Sequence, residues 1–144
     1  MLTNFDHVTV VVRDLAAARR FFELLGFREE KSVVIAGEPF ETYMGIPGIE
    51  AEHVTLVLEG ASPRAEIQLL KYRQPQVILD PDAGKLDKVG FNHVCFAVTD
   101  LEVMVERLQA AGVRLRSGVM DFHQRKLAFV YGPEGITIEL AQWH

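Results

Sequence analysis

The sequence has little cysteine, no excess of basic residues and no long apolar run. Cys95 is the only cysteine among 144 residues, so an internal disulfide is excluded. The net charge of −5 argues against non-specific electrostatic binding to nucleic acid or to an anionic membrane. Nowhere do 18 apolar residues follow one another, and the first residues lack the features of a signal peptide. We therefore expect a soluble, cytoplasmic protein with no nucleic-acid or membrane partner.

What the chain does contain is an internal repeat. The segment FDHVTVVVRDL, which begins at residue 5, returns as FNHVCFAVTDL from residue 91. His7 corresponds to His93 and Gly26 to Gly112, and the members of each pair stand 86 positions apart. Matches on a single register predict two modules of similar structure.

Each half has the pattern of a strand, a helix and three further strands. FDHVTVVV alternates as a half-buried strand does, and the helix that follows begins at an Asp and ends at a Gly in both halves. The pattern predicts an α+β fold in which two tandem βαβββ modules pair, with helices covering the outer faces. Module one spans about residues 1–73, a linker with prolines about 74–89, and module two about 90–144.

The later strands also correspond, but at a shorter spacing. Gln68 lies opposite Glu139, 71 positions away, so the first half holds about 15 additional residues. We place them in AGEPFETYMGIPGIEAEH, which is rich in Gly and Pro and has no sustained period. This segment contains Tyr43, Met44 and Ile46. It fits either a lid over a ligand or a packed surface loop.

Four polar side chains fall on the strand faces that should not carry helices. They are His7, Gln68, His93 and Glu139. Two imidazole nitrogens and two oxygens form a suitable ligand set for Zn²⁺, Ni²⁺, Co²⁺, Mn²⁺ or Fe²⁺. A single strand histidine is more often structural than a ligand. Equivalent residues in two modules favour the metal hypothesis, because they would meet across a pseudo-twofold axis.

The two opening segments, together with AEIQLLKY and YGPEGITIEL near the module ends, resemble the vicinal oxygen chelate superfamily. That superfamily includes glyoxalase I, methylmalonyl-CoA epimerase, extradiol dioxygenases and bleomycin- and fosfomycin-resistance proteins. The resemblance covers essentially the whole chain. It implies that the two modules form an open eight-stranded cup with helices on the outside. It also implies one metal ion held by His7, Gln68, His93 and Glu139, and a homodimer.

The order His, Gln, His, Glu is most similar to methylmalonyl-CoA epimerase. The resemblance implies a metal-dependent lyase or isomerase that moves a proton next to a chelated carbonyl of a small carbonyl or acyl-thioester substrate. Glu139 would be the base if it leaves the metal. His123, in MDFHQRK, is a candidate second acid or base, or simply a solvated residue. Arg125 and Lys126 fit either an anion-binding role or a solvated basic pair.

Two departures from the epimerase pattern stand out. The further glutamate of that family on the third strand falls at Thr55 here, with Glu52 and His53 nearby, and MDFHQRK replaces a glycine-rich loop.

Two other functions stay open. An Fe(II) extradiol-type dioxygenase would use His7, His93 and Glu139, but Gln68 would then occupy a coordination site that substrate or O₂ needs. A metal-free, drug-binding resistance protein has no need of four ligand-type residues.

Overall fold

The structure is a computed structural model that describes all 144 residues. The chain divides into two compact units, Met1–Leu79 and Asp80–His144, and each contains one four-stranded sheet. None of the helices has the length and apolar character needed to cross a bilayer. The predicted α+β class is confirmed, with the eight strands divided equally between the two units.

The first unit, module one, has its strands in the spatial order β1-β4-β3-β2. Its elements in chain order are β1 (His7–Val11), α1 (Leu15–Leu24), β2 (Phe27–Ala36), α2 (Phe40–Met44), β3 (Glu50–Leu58) and β4 (Glu66–Gln74). β1 runs parallel to β4, while β3 is antiparallel to both of its neighbours. The first and last strands of the module therefore lie side by side.

The second unit, module two, repeats this topology as β5-β8-β7-β6. Its elements are β5 (His93–Ala97), α3 (Leu101–Ala110), β6 (Met120–Phe122), β7 (Arg125–Tyr131) and β8 (Thr137–Trp143), with a 3₁₀ turn at Pro133–Gly135. β5 is parallel to β8, as β1 is to β4. The sequence repeat thus corresponds to a repeat of the fold within the chain.

The two main helices begin and end as the repeat predicts. The carboxylate of Asp14 accepts a hydrogen bond from the amide of Ala17 at 2.9 Å, and Asp100 accepts from Val103 at 3.1 Å. These caps satisfy amides that have no partner inside the helix. Gly26 follows α1 with φ of +102°, a conformation that a side chain would disfavour.

The two faces of the first module's sheet differ as the alternation predicts. Phe22 of α1 is fully buried, as are Ile67 and Leu69 on the helix-bearing face of β4. His7 and Thr9 on the opposite face of β1 remain exposed. Burial of the apolar face holds the helix on one side and leaves the polar side chains on the other.

The additional residues of module one lie only partly in the predicted segment, residues 36–53, because β2, which precedes it, is also longer than its counterpart. They lengthen β2 to ten residues, against three in the corresponding β6, and they form the short helix α2. Phe40 and Met44 of this helix pack against a buried cluster formed by Ile35, Ile49, Ala51 and Leu70. The insertion is therefore fixed to the polar-side face of the sheet by apolar contacts.

Candidate metal centre

His7 is the first residue of β1, and the residue before it orients its ring. His7 Nδ1 lies 2.6 Å from Asp6 Oδ1. Because an ionised carboxylate only accepts hydrogen bonds, the ring proton is on Nδ1. In the neutral ring, Nε2 then carries the lone pair that a metal ligand needs.

His93 has the same arrangement at the corresponding place in module two. Its Nδ1 lies 2.7 Å from Asn92 Oδ1, and Asn92 corresponds to Asp6 in the repeat. The ring also packs edge-on against Phe129, with centroids 5.3 Å apart. These two contacts fix the ring so that Nε2 faces the carboxylate of Glu139, 2.8 Å away.

Glu139 is a carboxylate inside a buried strand, only 4% exposed. Its Oε2 contacts His93, while its Oε1 is buried and has no hydrogen-bond partner. The nearest cation is the Arg125 guanidinium, whose Nη2 stands 3.9 Å from Oε1, too far for a hydrogen bond. An unpaired buried carboxylate oxygen is costly, so this atom suits a cationic partner.

His93 Nε2 and Glu139 Oε2 are at hydrogen-bond distance, so a proton between them already satisfies this pair. With Nδ1 donating to Asn92, the Nε2 lone pair faces an oxygen that is itself only an acceptor. A proton or a metal ion must lie between two such atoms. The donor set therefore fits a divalent metal, which binds neutral imidazole and ionised carboxylate.

Gln68 lies on β4 beside β1, and hydrogen bonds fix its amide. Its Oε1 accepts from Thr9 Oγ1 at 3.3 Å and from His53 Nε2 at 3.1 Å. Its Nε2 donates to Glu66 Oε2 at 3.2 Å. The oxygen thus points toward the exposed face of the sheet, and it would bind a metal ion as a neutral ligand only in exchange for one of these two hydrogen bonds.

His7 and Gln68 line one cavity of about 570 Å³ within module one. Its polar lining consists of His7, Thr9, Lys31, His53, Thr55 and Gln68, and its other lining residues are Val33, Ile35, Phe40, Tyr43, Met44 and Leu70. A cavity of this size accommodates a small organic ligand.

His53 is a site residue that sequence reasoning noted but placed away from the site. Thr55 pairs directly with Gln68 across β3 and β4, as the alignment implies, but His53 is two residues away on the same face. Its ring reaches across to Gln68 and lines the cavity. The sequence did contain a signal for this position of His53. His53 and Thr55 are two residues apart, and side chains two residues apart lie on the same face of a strand.

A second group of ligand-type atoms surrounds His7. Single ligand atoms of Asp6, His7 and Glu66 lie within 4.8 Å of one another. Glu66 is partly committed elsewhere, since its Oε1 accepts from Arg64 Nε at 2.7 Å and its Oε2 from Gln68. Asp6 is already hydrogen-bonded to the ring of His7. The two carboxylates therefore serve better to orient His7 than to form a separate metal site with it.

The structure places His123 in the exposed turn between β6 and β7, at a φ of +57°. Its ring packs against Phe122, with centroids 4.3 Å apart, and it forms no hydrogen bond or ion pair with His93 or Glu139.

The two neighbouring basic residues of that hairpin separate. Lys126 bonds to Glu102 on α3 at 2.7 Å, whereas Arg125 stacks over Trp143 and approaches Glu139. Of the two, only Arg125 is near a candidate ligand.

Cys95 lies on β5 directly beside Glu139 on β8. Partial burial and the negative charge of Glu139 raise the pKa of the Cys95 thiol to about 11. The thiol therefore stays protonated at neutral pH.

The fold corresponds to that of a known class of proteins. The family model of the Glyoxalase/Bleomycin resistance protein/Dioxygenase superfamily matches residues 4–140, and the chain belongs to this superfamily. A glyoxalase family protein from Bacillus cereus has a similar structure, with a TM-score of 0.90 and 29% identity, over 99% of this chain and 95% of that one.

Two curated relatives give finer similarities. The ethylmalonyl-CoA/methylmalonyl-CoA epimerase of Cereibacter sphaeroides is 30% identical over 99% of both chains. Glyoxalase I of Saccharomyces cerevisiae is 39% identical over 51 residues, which cover 35% of this chain and 16% of that protein. This chain therefore spans far less than two thirds of the yeast relative.

A fosfomycin-resistance protein from Listeria monocytogenes, FosX, shares the fold. Its structure in complex with Mn(II) and sulfate has a TM-score of 0.65 and 16% identity, over 100% of this chain and 95% of that one. The superfamily thus includes enzymes, resistance proteins and metal-binding members.

Proposed function

We propose that the protein is a metal-dependent isomerase or lyase that transfers a proton next to a chelated carbonyl group. One observation carries the proposal. Glu139 is buried with one oxygen on His93 Nε2 and the other without a hydrogen-bond partner. A divalent cation satisfies the unpaired oxygen and takes the place of the proton between the other oxygen and His93.

The proposed ligands are His7, Gln68, His93 and Glu139, joined in one site by analogy with the superfamily. Within each module, the histidine presents Nε2 and the last strand presents an oxygen. Two nitrogens and two oxygens suit Zn²⁺, Ni²⁺, Co²⁺ or Mn²⁺ and leave positions for substrate oxygens.

The chemistry assigns distinct tasks to the ion and to the protein. A bound divalent cation supplies Lewis-acid polarisation of the carbonyl, which acidifies the neighbouring C–H bond. Glu139, once released from the ion, would remove the proton from that carbon and return it, either to the other face of the same carbon or to the adjacent one. The buried strand keeps the carboxylate out of bulk water.

The substrate class follows the epimerase resemblance most closely. The relative from Cereibacter sphaeroides matches along its full length, and it acts on a 2-alkyl-malonyl thioester by its name. We propose a small carbonyl or acyl-thioester substrate for this chain. Glu139→Gln should abolish deuterium uptake from D₂O at C2 of methylmalonyl-CoA, followed by proton NMR.

Metal content is the decisive test. Inductively coupled plasma mass spectrometry of the untagged protein should give about one Zn, Ni, Co or Mn per chain. His7→Ala should lose the metal. His144→Ala is the matched control, because His144 is also an exposed histidine but contacts Asp121. Iron as the native metal would favour the dioxygenase, and no metal after reconstitution would contradict the proposal.

We also propose a cytoplasmic homodimer that acts on a small molecule. The superfamily resemblance supports the dimer. Light scattering coupled to size exclusion should give twice the chain mass; a single-chain mass at micromolar concentration would contradict it.

A further inference from the structure

The cavity of module one is polar at one end and apolar at the other. Cross-strand neighbours Thr9, Gln68, Thr55 and Lys31 form one row across the face of the sheet. Two rows further along the strands, the corresponding residues are Tyr72, Ala51 and Ile35. His53 lies in the row between the two. The candidate ligands and the apolar lining thus share one cavity but occupy different ends.

The apolar end is bounded by a fixed wall. Phe40 and Met44 of α2 pack against the buried cluster that contains Ile35 and Leu70. These four side chains also line the cavity. Their positions are set by packing against the sheet, so the insertion forms a permanent wall rather than a loop that must first fold over a ligand.

Apolar surface at this end remains without a protein partner. Val33 points into the cavity from β2 and is 37% exposed, although Ile35, two residues along the same face, is buried. A concave apolar surface beside a few polar groups is typical of ligand sites. The occupant should therefore bring an apolar group.

This end also offers no fixed charge to an ionised substituent. Its lining side chains are Val33, Ile35, Phe40, Tyr43, Met44 and Leu70, and His53 of the middle row pairs across the strands with Val33 and Leu70. Lys31, the only charged lining residue other than the histidines, is in the polar row with Thr55. An ionised substituent at the apolar end would lose water without gaining a partner.

We propose that the apolar end of this cavity binds an alkyl substituent of the substrate while its vicinal oxygens face His7 and Gln68. The inference rests on the proposed metal-dependent function and narrows its substrate to carbonyl or acyl compounds with an aliphatic chain. Val33, Phe40 and Met44 then determine which chain lengths fit.

A homologous series of n-alkyl hydroxamates tests this assignment. Each hydroxamate offers two vicinal oxygens to a metal ion and differs only in its chain. Calorimetric titration of the metal-loaded protein, from acetohydroxamate upward, should show affinity rising about fourfold per methylene, the gain expected for one buried CH₂. The rise should end at the chain length that fills the cavity.

In the variant Val33→Phe, the rise in affinity should end at a shorter alkyl chain. We expect roughly tenfold or greater weakening for the longest chains and little change for acetohydroxamate, because the added ring occupies the apolar end. Val34→Phe is the matched control, since Val34 is the next residue of β2, is 49% exposed and does not line the cavity. Both positions are exposed on a strand, and Phe is a good strand former.

Metal content measured on the same samples distinguishes failure of the alkyl subsite from failure of the proposed metal-dependent function. Metal present together with length-independent affinity, or equal effects of the two Phe variants, overturns the alkyl subsite alone. No metal in the wild-type protein overturns the proposed function and the subsite with it. Length-dependent affinity that only Val33→Phe shortens supports the assignment.

Discussion

At the scale of single residues, the hydrogen bond from His7 to Asp6 orients the ring that we propose as a metal ligand. Asp6→Ala should weaken metal binding about 10-fold or more, the usual effect of removing a partner that orients a ligating histidine. Asp6→Asn keeps an acceptor oxygen and should recover much of the affinity. Competition with a chromophoric chelator measures both.

The control for this prediction is the nearby exposed residue Asn4, whose side chain bonds only to its chain neighbours. Asn4→Ala should leave metal affinity unchanged. Long-range proton–nitrogen NMR should also show that the Nδ1–H form of His7 is lost in Asp6→Ala. Unchanged affinity and an unchanged tautomer would contradict the orienting role.

The thiol of Cys95 gives a pH-dependent prediction. Because its pKa is raised to about 11, the reactive thiolate is scarcer at pH 8 than in an ordinary cysteine. Iodoacetamide should modify the chelator-treated protein at least tenfold more slowly than glutathione at pH 8. The rate should keep rising as the pH approaches 11. A rate that levels off near pH 9 would show that the pKa is not raised.

At the scale of helices and strands, the repeated N-caps of α1 and α3 should contribute equally to stability. Asp14→Ala and Asp100→Ala should each lower the free energy of unfolding by about 1 kcal/mol, since each leaves a helix amide unpaired. Urea denaturation followed by circular dichroism measures this. Asp14→Ser and Asp100→Ser keep an acceptor and should lose little. A loss below about 0.3 kcal/mol in both Ala variants would contradict the capping role.

The elements also show how far the sequence could predict the site. The caps, the strand faces and the position of the insertion follow from local patterns, which repeat within the chain. The contact between His53 and Gln68 does not, because it depends on the register of β3 against β4, and that register is set by tertiary packing. The same holds for Phe40, whose partners lie on other elements.

The orienting bond of Asp6 illustrates a different limit. Asp6 is next to His7 in the sequence, yet adjacency alone does not show whether the two side chains face each other. In the structure, Asn92 contacts His93 as Asp6 contacts His7, so the side chain before each histidine orients its ring in both modules. Residue types could therefore suggest the ligands, whereas the groups that hold them needed the structure.

At the scale of the whole molecule, one metal ion per chain should stabilise both modules together. At a free metal concentration of about 100 times the dissociation constant, binding adds about 2.7 kcal/mol and should raise the melting temperature by roughly 5–10 °C. Dialysis against a chelator should remove this gain. Differential scanning calorimetry with and without Zn²⁺ measures it.

The single-histidine variants show whether one ion takes ligands from both modules. A shared ion requires that His7→Ala and His93→Ala each abolish the whole thermal shift, because either one removes a ligand from the same site. Two independent sites would instead leave a partial shift and one bound metal per chain in each variant. His144→Ala should keep the full shift, since its ring contacts only the carboxylate of Asp121. A partial shift in both variants would contradict the four-ligand centre while leaving a metal site in each module.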